Sequence, residues 1–357
     1  MKVLQLMSAP VDKIEKFIND GHSYHGHNLY GYISLKKDFN IDWYPQLNKS
    51  PKFVRGGINK RRLIAQLQCI LNCKNYDIIY SPHDIHLLPI AILKYLQIIK
   101  TPVLMICHFS YNMNYVEGWY KKLLKRIERY FVFQSIDQVL FANKEMLDLA
   151  LRDYNVPLKH QKVANWGANL KFFDEYILQV RRPPLESYYA AMGWANRDYT
   201  TLCEAFRGMQ LQLKILAGKR NIENRPSNVD LVDLSGKGME GMAFLREYYY
   251  DAIAICLPIT TTNDVPNGAT VLVEALAMGK PIIATASETN YVDIEKEGIG
   301  ICVKRNDVNG WKEAIKYLAD NPDIRKTMGE KAKLLAKERL NLEIFTENVR
   351  RNLETLS

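Results

Sequence analysis

Chemistry concentrates in a few segments of the chain. The string Asn263–Ala284, NDVPNGATVLVEALAMGKPIIA, carries the residue types best suited to an anionic ligand. Asn267-Gly268-Ala269-Thr270 is a polar, glycine-containing entry to an apolar helix, and Asn267 and Thr270 are residue types that cap helices. A helix N-terminus with a small residue lets backbone N–H groups approach a phosphate. Glu274, one turn further, is placed to accept hydrogen bonds from a ribose diol. The competing reading is a helix that only packs on a sheet, with Glu274 solvated. In Met192–Glu204, MGWANRDYTTLCE, a strand ends at Gly193, a polar loop carries Asn196 and Arg197, and a helix starts near Asp198. The Arg197 guanidinium can then make a bidentate contact with a diphosphate at the carboxyl edge of a sheet. Lys219 and Arg220, after the next apolar run, add cations, although any single loop cation is commonly surface decoration.

Histidines form a second set. His108 directly follows the run PVLMIC, where it can face a ligand and bond a sugar or move a proton; a satisfied structural histidine is the rival reading. His22, His25 and His27 fall in GHSYHGHN, and His83 and His86 in SPHDIH. No Asp, Glu or Cys joins the first three at metal-ligand spacing, so they read as a flexible loop gripping a ligand rather than as a metal site. Several chemistries have no motif: there is no G-x-S-x-G elbow, no P-loop lysine, no G-x-G-x-x-G after the first strand, and no D-x-D string for a metal–diphosphate. Phosphate handling here rests on cations and helix dipoles, with no metal required.

The elements that must position these residues alternate. Lys2–Ser8, Asp77–Ser81, Pro102–Cys107 and Gln138–Ala142 read as strands, and residues 59–72 and 85–98 as helices. After the proline- and arginine-containing break Val180–Glu186, a second series follows. Its strands are at Tyr188–Met192, Leu211–Ala217, Val229–Leu231, Ala252–Leu257, Pro281–Ala286 and Ile301–Val303. Its helices are at Thr200–Arg207, Met242–Tyr249 and Thr270–Met278, and the last 50 residues or so are helical throughout. Strands alternating with helices imply parallel sheets covered on both faces, so the fold class is α/β with two doubly wound, Rossmann-like domains. A ligand cleft is expected beyond the carboxyl ends of the strands, in the loops after Cys107, Met192, Ala217 and Leu257.

The 357 residues suit two domains, 47% hydrophobic and 24% charged composition is globular, and no apolar run reaches the roughly 18 residues of a membrane span. The N-terminus lacks a secretory signal pattern, and the six cysteines show no disulfide framework, so a reduced, cytoplasmic protein is expected. Residues 1–182 hold 26 Lys and Arg against 15 Asp and Glu, whereas the remainder holds 22 against 24. The basic half points to an anionic partner such as a membrane surface, or else to a solubilising surface; nucleic acid is not expected. Trp119–Phe133, WYKKLLKRIERYFVF, reads either as a helix lying on an anionic membrane or as a core helix with a solvated charged face.

These segments together resemble the GT-B fold, retaining glycosyltransferases of "group 1" or family 4. ANRDYTTLCEAF resembles the family's strand-loop-helix that grips the donor diphosphate. NVDLVDLSGK, which includes Gly236, resembles its loop near the nucleoside, and VPNGATVLVEALAMGKPIIAT its donor-helix signature. QVLFANKEMLDLAL and VANWGANLKFF resemble the end of the family's first domain. The family pairs two glutamates eight positions apart: Glu274 matches the second, and Pro266 stands in place of the first. The resemblance implies sugar transfer from a nucleotide diphosphate sugar with retention, the leaving diphosphate taking the acceptor proton. It makes His108, Arg197, Lys219 and Glu274 the catalytic set. Gly193, Asn196, Gly236, Asn267, Gly268, Ala269 and Thr270 would bind the donor, and His25, His27 and His83 the acceptor. It divides the chain into an acceptor-binding domain, 1–182, and a donor-binding domain, 183–341, with residues 342–357 packing back on the first. The implied acceptor is a glycan or polyprenyl-linked glycan, in bacterial surface polysaccharide synthesis at the inner face of the membrane. A catalytically silent subunit that binds nucleotide or glycan, or a sugar-nucleotide epimerase, is the alternative.

Overall fold

A computed structural model of the chain describes residues 1–7, 10–44, 58–82, 87–108, 117–193, 195–217, 222, 224–234, 237–260 and 267–356, with the backbone alone at 58–63 and 242. Six strands, β1 (Lys2–Leu6), β2 (Asn40–Tyr44), β3 (Ile78–Ser81), β4 (Val103–Cys107), β5 (Gln138–Phe141) and β6 (Lys162–Val163), form one sheet in the order β2-β1-β3-β4-β5-β6. A second sheet, β12-β11-β10-β7-β8-β9, is built from β7 (Tyr188–Met192), β8 (Leu213–Leu216), β9 (Val229–Leu231), β10 (Ala252–Leu257), β11 (Ile282–Thr285) and β12 (Gly300–Val303). Every strand pairing within both sheets is parallel. Parallel strands need long crossovers, and helices supply them on both faces. The two doubly wound α/β sheets expected from the sequence are therefore present.

Central strands are buried along their whole length: all five residues of β4 and all six of β10. That is why VLMIC and AIAICL are unbroken apolar runs rather than alternating ones. One core gathers Leu4, Ile79, Met105, Phe141, Val132 and Phe133; the other gathers Tyr189, Phe206, Ile215, Cys256, Ile283 and Trp311.

The chain divides into two compact units. One comprises Met1–Lys16, Gly26–Trp166 and Leu342–Ser357, the other Phe17–His25 and Gly167–Asn341. In the first, the final helix Leu342–Leu356 buries Phe345, Val349 and Leu353, and Arg350 pairs with Asp38 at 2.7 Å. In the second, the break after Val180 is less wet than two arginines suggest. Arg182 makes a bidentate pair with the buried Asp251, 2.7 Å on each arm, and the Leu185 amide donates to the same carboxylate at 3.0 Å. Arg182 holds the Asp251 carboxyl below the usual range.

Candidate active site

In the second unit the sequence turns sharply at the end of β7. Gly193 has φ 104°, a region L residues rarely adopt, and a Cβ there would lie 2.8 Å from Nη2 of Arg197. Arg197 folds back over this glycine: its Nε donates to the Met192 carbonyl at 3.1 Å and its Nη1 to the Ala195 carbonyl at 2.8 Å. The guanidinium also lies against Gly268, where φ is 79° and a Cβ would sit 3.2 Å from Nη2. Both glycines are required by the same side chain. The loop after β7 is stitched to the loop after β10, because the Asp198 amide donates to Pro258 O at 2.8 Å and the Thr260 amide to Asn196 O at 3.1 Å. Thr285 at the end of β11 joins them, its Oγ1 accepting from the Ile259 amide at 2.9 Å. Asn196, itself at φ 54°, donates from Nδ2 to Oδ1 of Asn267 at 2.9 Å.

The helix Ala269–Ala277 starts at this junction. Its cap is Gly268, without any side-chain cap bond, so the expectation that Asn267 or Thr270 caps it is corrected: Asn267 is engaged by Asn196 and Thr270 lies in the first turn. The first i→i−4 bond runs from the Leu272 amide to the Gly268 carbonyl at 2.9 Å. The amides of Ala269, Thr270 and Val271 therefore point out of the helix end beside Arg197, where the helix dipole adds partial positive charge. Asp198 does cap its helix, accepting from the Thr201 amide at 3.0 Å.

Glu274 is not solvated. It is 2% exposed, and the fully buried Tyr249 hydroxyl donates to its Oε2 at 2.7 Å. Burial raises the Glu274 carboxyl to about 7, against the opposing pull of the Tyr249 bond and of His25. His25 is itself 2% exposed, with the Tyr24 ring at 4.3 Å and the Phe172 ring edge-on at 6.1 Å. Arg246 covers the other part of Phe172, 4.1 Å above its ring, and donates to its carbonyl at 2.8 Å. Tyr249 and Arg246 were missed by sequence reasoning: three consecutive tyrosines show no periodicity, and nothing local marks the middle one as the partner of a carboxylate.

The carboxyl edge of the first unit's sheet has another character. His108 follows β4, with its Nε2 3.1 Å from the carbonyl of Pro82, just past β3. Its ring lies edge-on to Tyr30 at 5.8 Å and to Trp166 at 6.5 Å. Tyr30 and Trp166 stack at 6.0 Å, and Phe345 meets Tyr30 edge-on at 6.2 Å. His27 is fully buried against Trp166, whose Nε1 donates to the His27 carbonyl at 3.1 Å; burial lowers the imidazole to about 3. The expected open loop of histidines is thus two packed segments, with His25 in the second unit and His27 in the first, each held by aromatic rings. His22 stacks on Phe17 at 4.4 Å. Among the described residues no group of three or more His, Cys, Asp or Glu side chains is placed to hold a metal ion. His83, Trp194, Lys219, Gly236 and Pro266 lie outside the described residues.

No curated protein matches the chain in sequence. Residues 238–335 match the family model of glycosyl transferases group 1, a span that contains Tyr249, Gly268 and Glu274. Among solved structures, sucrose-phosphate synthase from Thermosynechococcus elongatus is similar over 100% of both chains at 17% identity, with a TM-score of 0.68. Anabaena HepE in complex with UDP-glucose covers 99% of this chain and 100% of its own at 12% identity, TM-score 0.64. WaaG, a glycosyltransferase involved in lipopolysaccharide biosynthesis, covers 98% of each at 11% identity, TM-score 0.61. These likenesses identify the two-sheet α/β architecture as the GT-B fold.

Proposed function

We propose that the protein is a glycosyltransferase that moves a sugar from a nucleotide diphosphate sugar to a glycan or lipid-linked acceptor, with retention at the anomeric carbon. The observation that carries this reading is the Arg197 guanidinium held between Gly193 and Gly268 at the start of the helix Ala269–Ala277. A fixed cation beside outward-pointing amides suits a diphosphate whose charge grows as it leaves. Lys219 joins this set in the proposal. Asn196, Asn267, Ala269 and Thr270 line the same helix end; Gly236 is assigned to the nucleoside, and the ionised Glu274 carboxylate is assigned to accept the hydrogen bonds of the ribose diol.

In the proposed reaction the acceptor oxygen attacks the anomeric carbon from the face the diphosphate leaves. The bond from that carbon to the phosphate oxygen breaks, and the acceptor proton passes to the departing phosphate. No protein nucleophile and no resident metal is required. His108, at a strand end among Tyr30 and Trp166, is assigned to the sugar side, and His83 remains an acceptor contact in the proposal. The group 1 match over the Glu274 helix and the UDP-sugar complexes of HepE support the donor assignment and put UDP first among nucleotides to test.

The test is thermal stability of the purified chain against UDP, GDP, ADP, CMP and their sugars, with and without EDTA. A ligand at 100 times its dissociation constant stabilises by about 2.7 kcal/mol, readily visible as a melting shift. A shift for one nucleoside diphosphate that survives EDTA is expected. Binding without sugar transfer or donor hydrolysis would favour the silent-subunit reading.

A further inference from the structure

The helix Trp119–Ser135 is amphipathic in the unexpected sense. Trp119, Leu123, Ile127 and Tyr130 recur at spacings of four, four and three, so they lie on one face. That face looks outward: Trp119 is 79% exposed, Leu123 48% and Tyr130 52%, with Tyr120 and Leu124 exposed beside them. The opposite side, which buries Val132 and Phe133, carries the partly covered cations. Arg129 lies 4.5 Å above the Tyr154 ring, and Lys125 pairs with Glu128 at 3.6 Å. The helix still packs in the core through Val132 and Phe133, while its solvated side carries the apolar row beside the exposed cations Lys121 and Arg126. The apolar face continues onto the preceding helix, Leu88–Tyr95. Tyr95 packs on Phe131 at 5.2 Å and meets the Tyr130 hydroxyl at 3.4 Å, and the exposed Leu96 and Ile98 follow it.

From this surface we infer that the helix Trp119–Ser135 docks the protein onto an anionic lipid bilayer, its axis parallel to the membrane plane. Charge selects this occupant. The helix carries five Lys and Arg (Lys121, Lys122, Lys125, Arg126, Arg129) and one acid, Glu128. A second copy on the same face would oppose like charges, whereas an anionic bilayer offers apolar depth for Trp119, Leu123 and Ile127 and phosphates for the flanking cations. Long Lys and Arg stems allow their charges to reach the headgroups while the apolar row sinks in. No helix among the described residues is long and apolar enough to cross a membrane, so the contact is interfacial. The inference is independent of the donor reading, because none of these residues belongs to the Arg197 site.

The test is co-sedimentation of the full chain with phosphatidylcholine vesicles, with and without phosphatidylglycerol, at low and high salt. Binding is expected only with phosphatidylglycerol and is weakened by salt. Reversing one exposed cation, Lys121→Glu or Arg126→Glu, should weaken it about tenfold. Leu123→Glu with Ile127→Glu should abolish it while leaving the melting temperature and the nucleotide-induced shift unchanged. In a chain with no charge reversed, a nitroxide label at Trp119→Cys should report bilayer depth, which gives a reading even if the charge variants fold poorly. Equal binding to neutral vesicles, no binding to either, or a solution dimer abolished by Leu123→Glu would each overturn the inference.

Discussion

The carboxyl edges of the two sheets use the same architecture to build opposite environments. In the second unit, Gly193 and Gly268 remove side chains so that a guanidinium and a helix end can meet. In the first, Tyr30, Trp166, His27, His108 and Phe345 fill the equivalent edge with rings. One edge presents donors and positive charge, which suits an anionic diphosphate. The other is packed with buried rings, His27 and Phe345 fully so, and leaves the half-buried His108 at the strand end as its polar group. A doubly wound domain leaves the chemistry of its strand ends to a few loop residues.

The contrast extends to buried titratable groups, and acid titration gives the largest expected effect. His27 in the first unit is held near 3 in the folded chain, against an ordinary value of 6.5. Its stabilising contribution is complete above pH 6.5 and is lost as pH falls toward 3, on the order of 5 kcal/mol if the whole window is traversed. His160, lowered to about 4, adds in the same direction. His27→Asn should flatten the dependence of the urea midpoint on pH below 6.5; an unaltered slope would contradict the burial argument.

Glu274 should respond with the opposite sign. Its folded value of about 7 lies above the ordinary 4.5, so the folded state holds the extra proton between those values. Stability is then lost as pH rises from 4.5 to 7, by about 3 kcal/mol at most. Glu274→Gln should remove this loss and leave the His27 window intact. A smaller effect comes from its partner. Tyr249→Phe deletes the 2.7 Å bond to Oε2 and should cost about 1–2 kcal/mol in urea unfolding, while moving the Glu274 window further up in pH. No change in either quantity would mean that the buried carboxyl is held by other groups.

Much of this was legible in the sequence, and the rest was not for identifiable reasons. Central strands such as β4 and β10 are continuous apolar runs because both their faces are covered, so their positions could be read off directly. The edge strands β2, with the half-buried pattern of NIDWY, and β6, only two residues long, carry no such signal. Gly193, Arg197 and Gly268 were visible as loop residues at strand and helix ends, and the structure brings them into one cradle. The burial of Glu274 was not visible, because it depends on Tyr249 from a different helix. The stacking of Tyr30 on Trp166 likewise joins residues far apart in the chain. The sequence left Trp119–Phe133 open between a membrane-lying helix and a core helix with a solvated charged face, and only packing shows which side chains turn to solvent.

The most direct test of the account is calorimetric titration of UDP, or of whichever nucleoside diphosphate the panel selects, into the unmodified chain, Arg197→Ala and His108→Ala. Removing one charged contact to a diphosphate costs about 2–4 kcal/mol, so Arg197→Ala should weaken binding by about two to three orders of magnitude. His108→Ala, at the aromatic edge, should bind nucleotide as the unmodified chain does. Equal affinity in Arg197→Ala and the unmodified chain would contradict the assignment of the anionic ligand to the Gly193–Gly268 cradle.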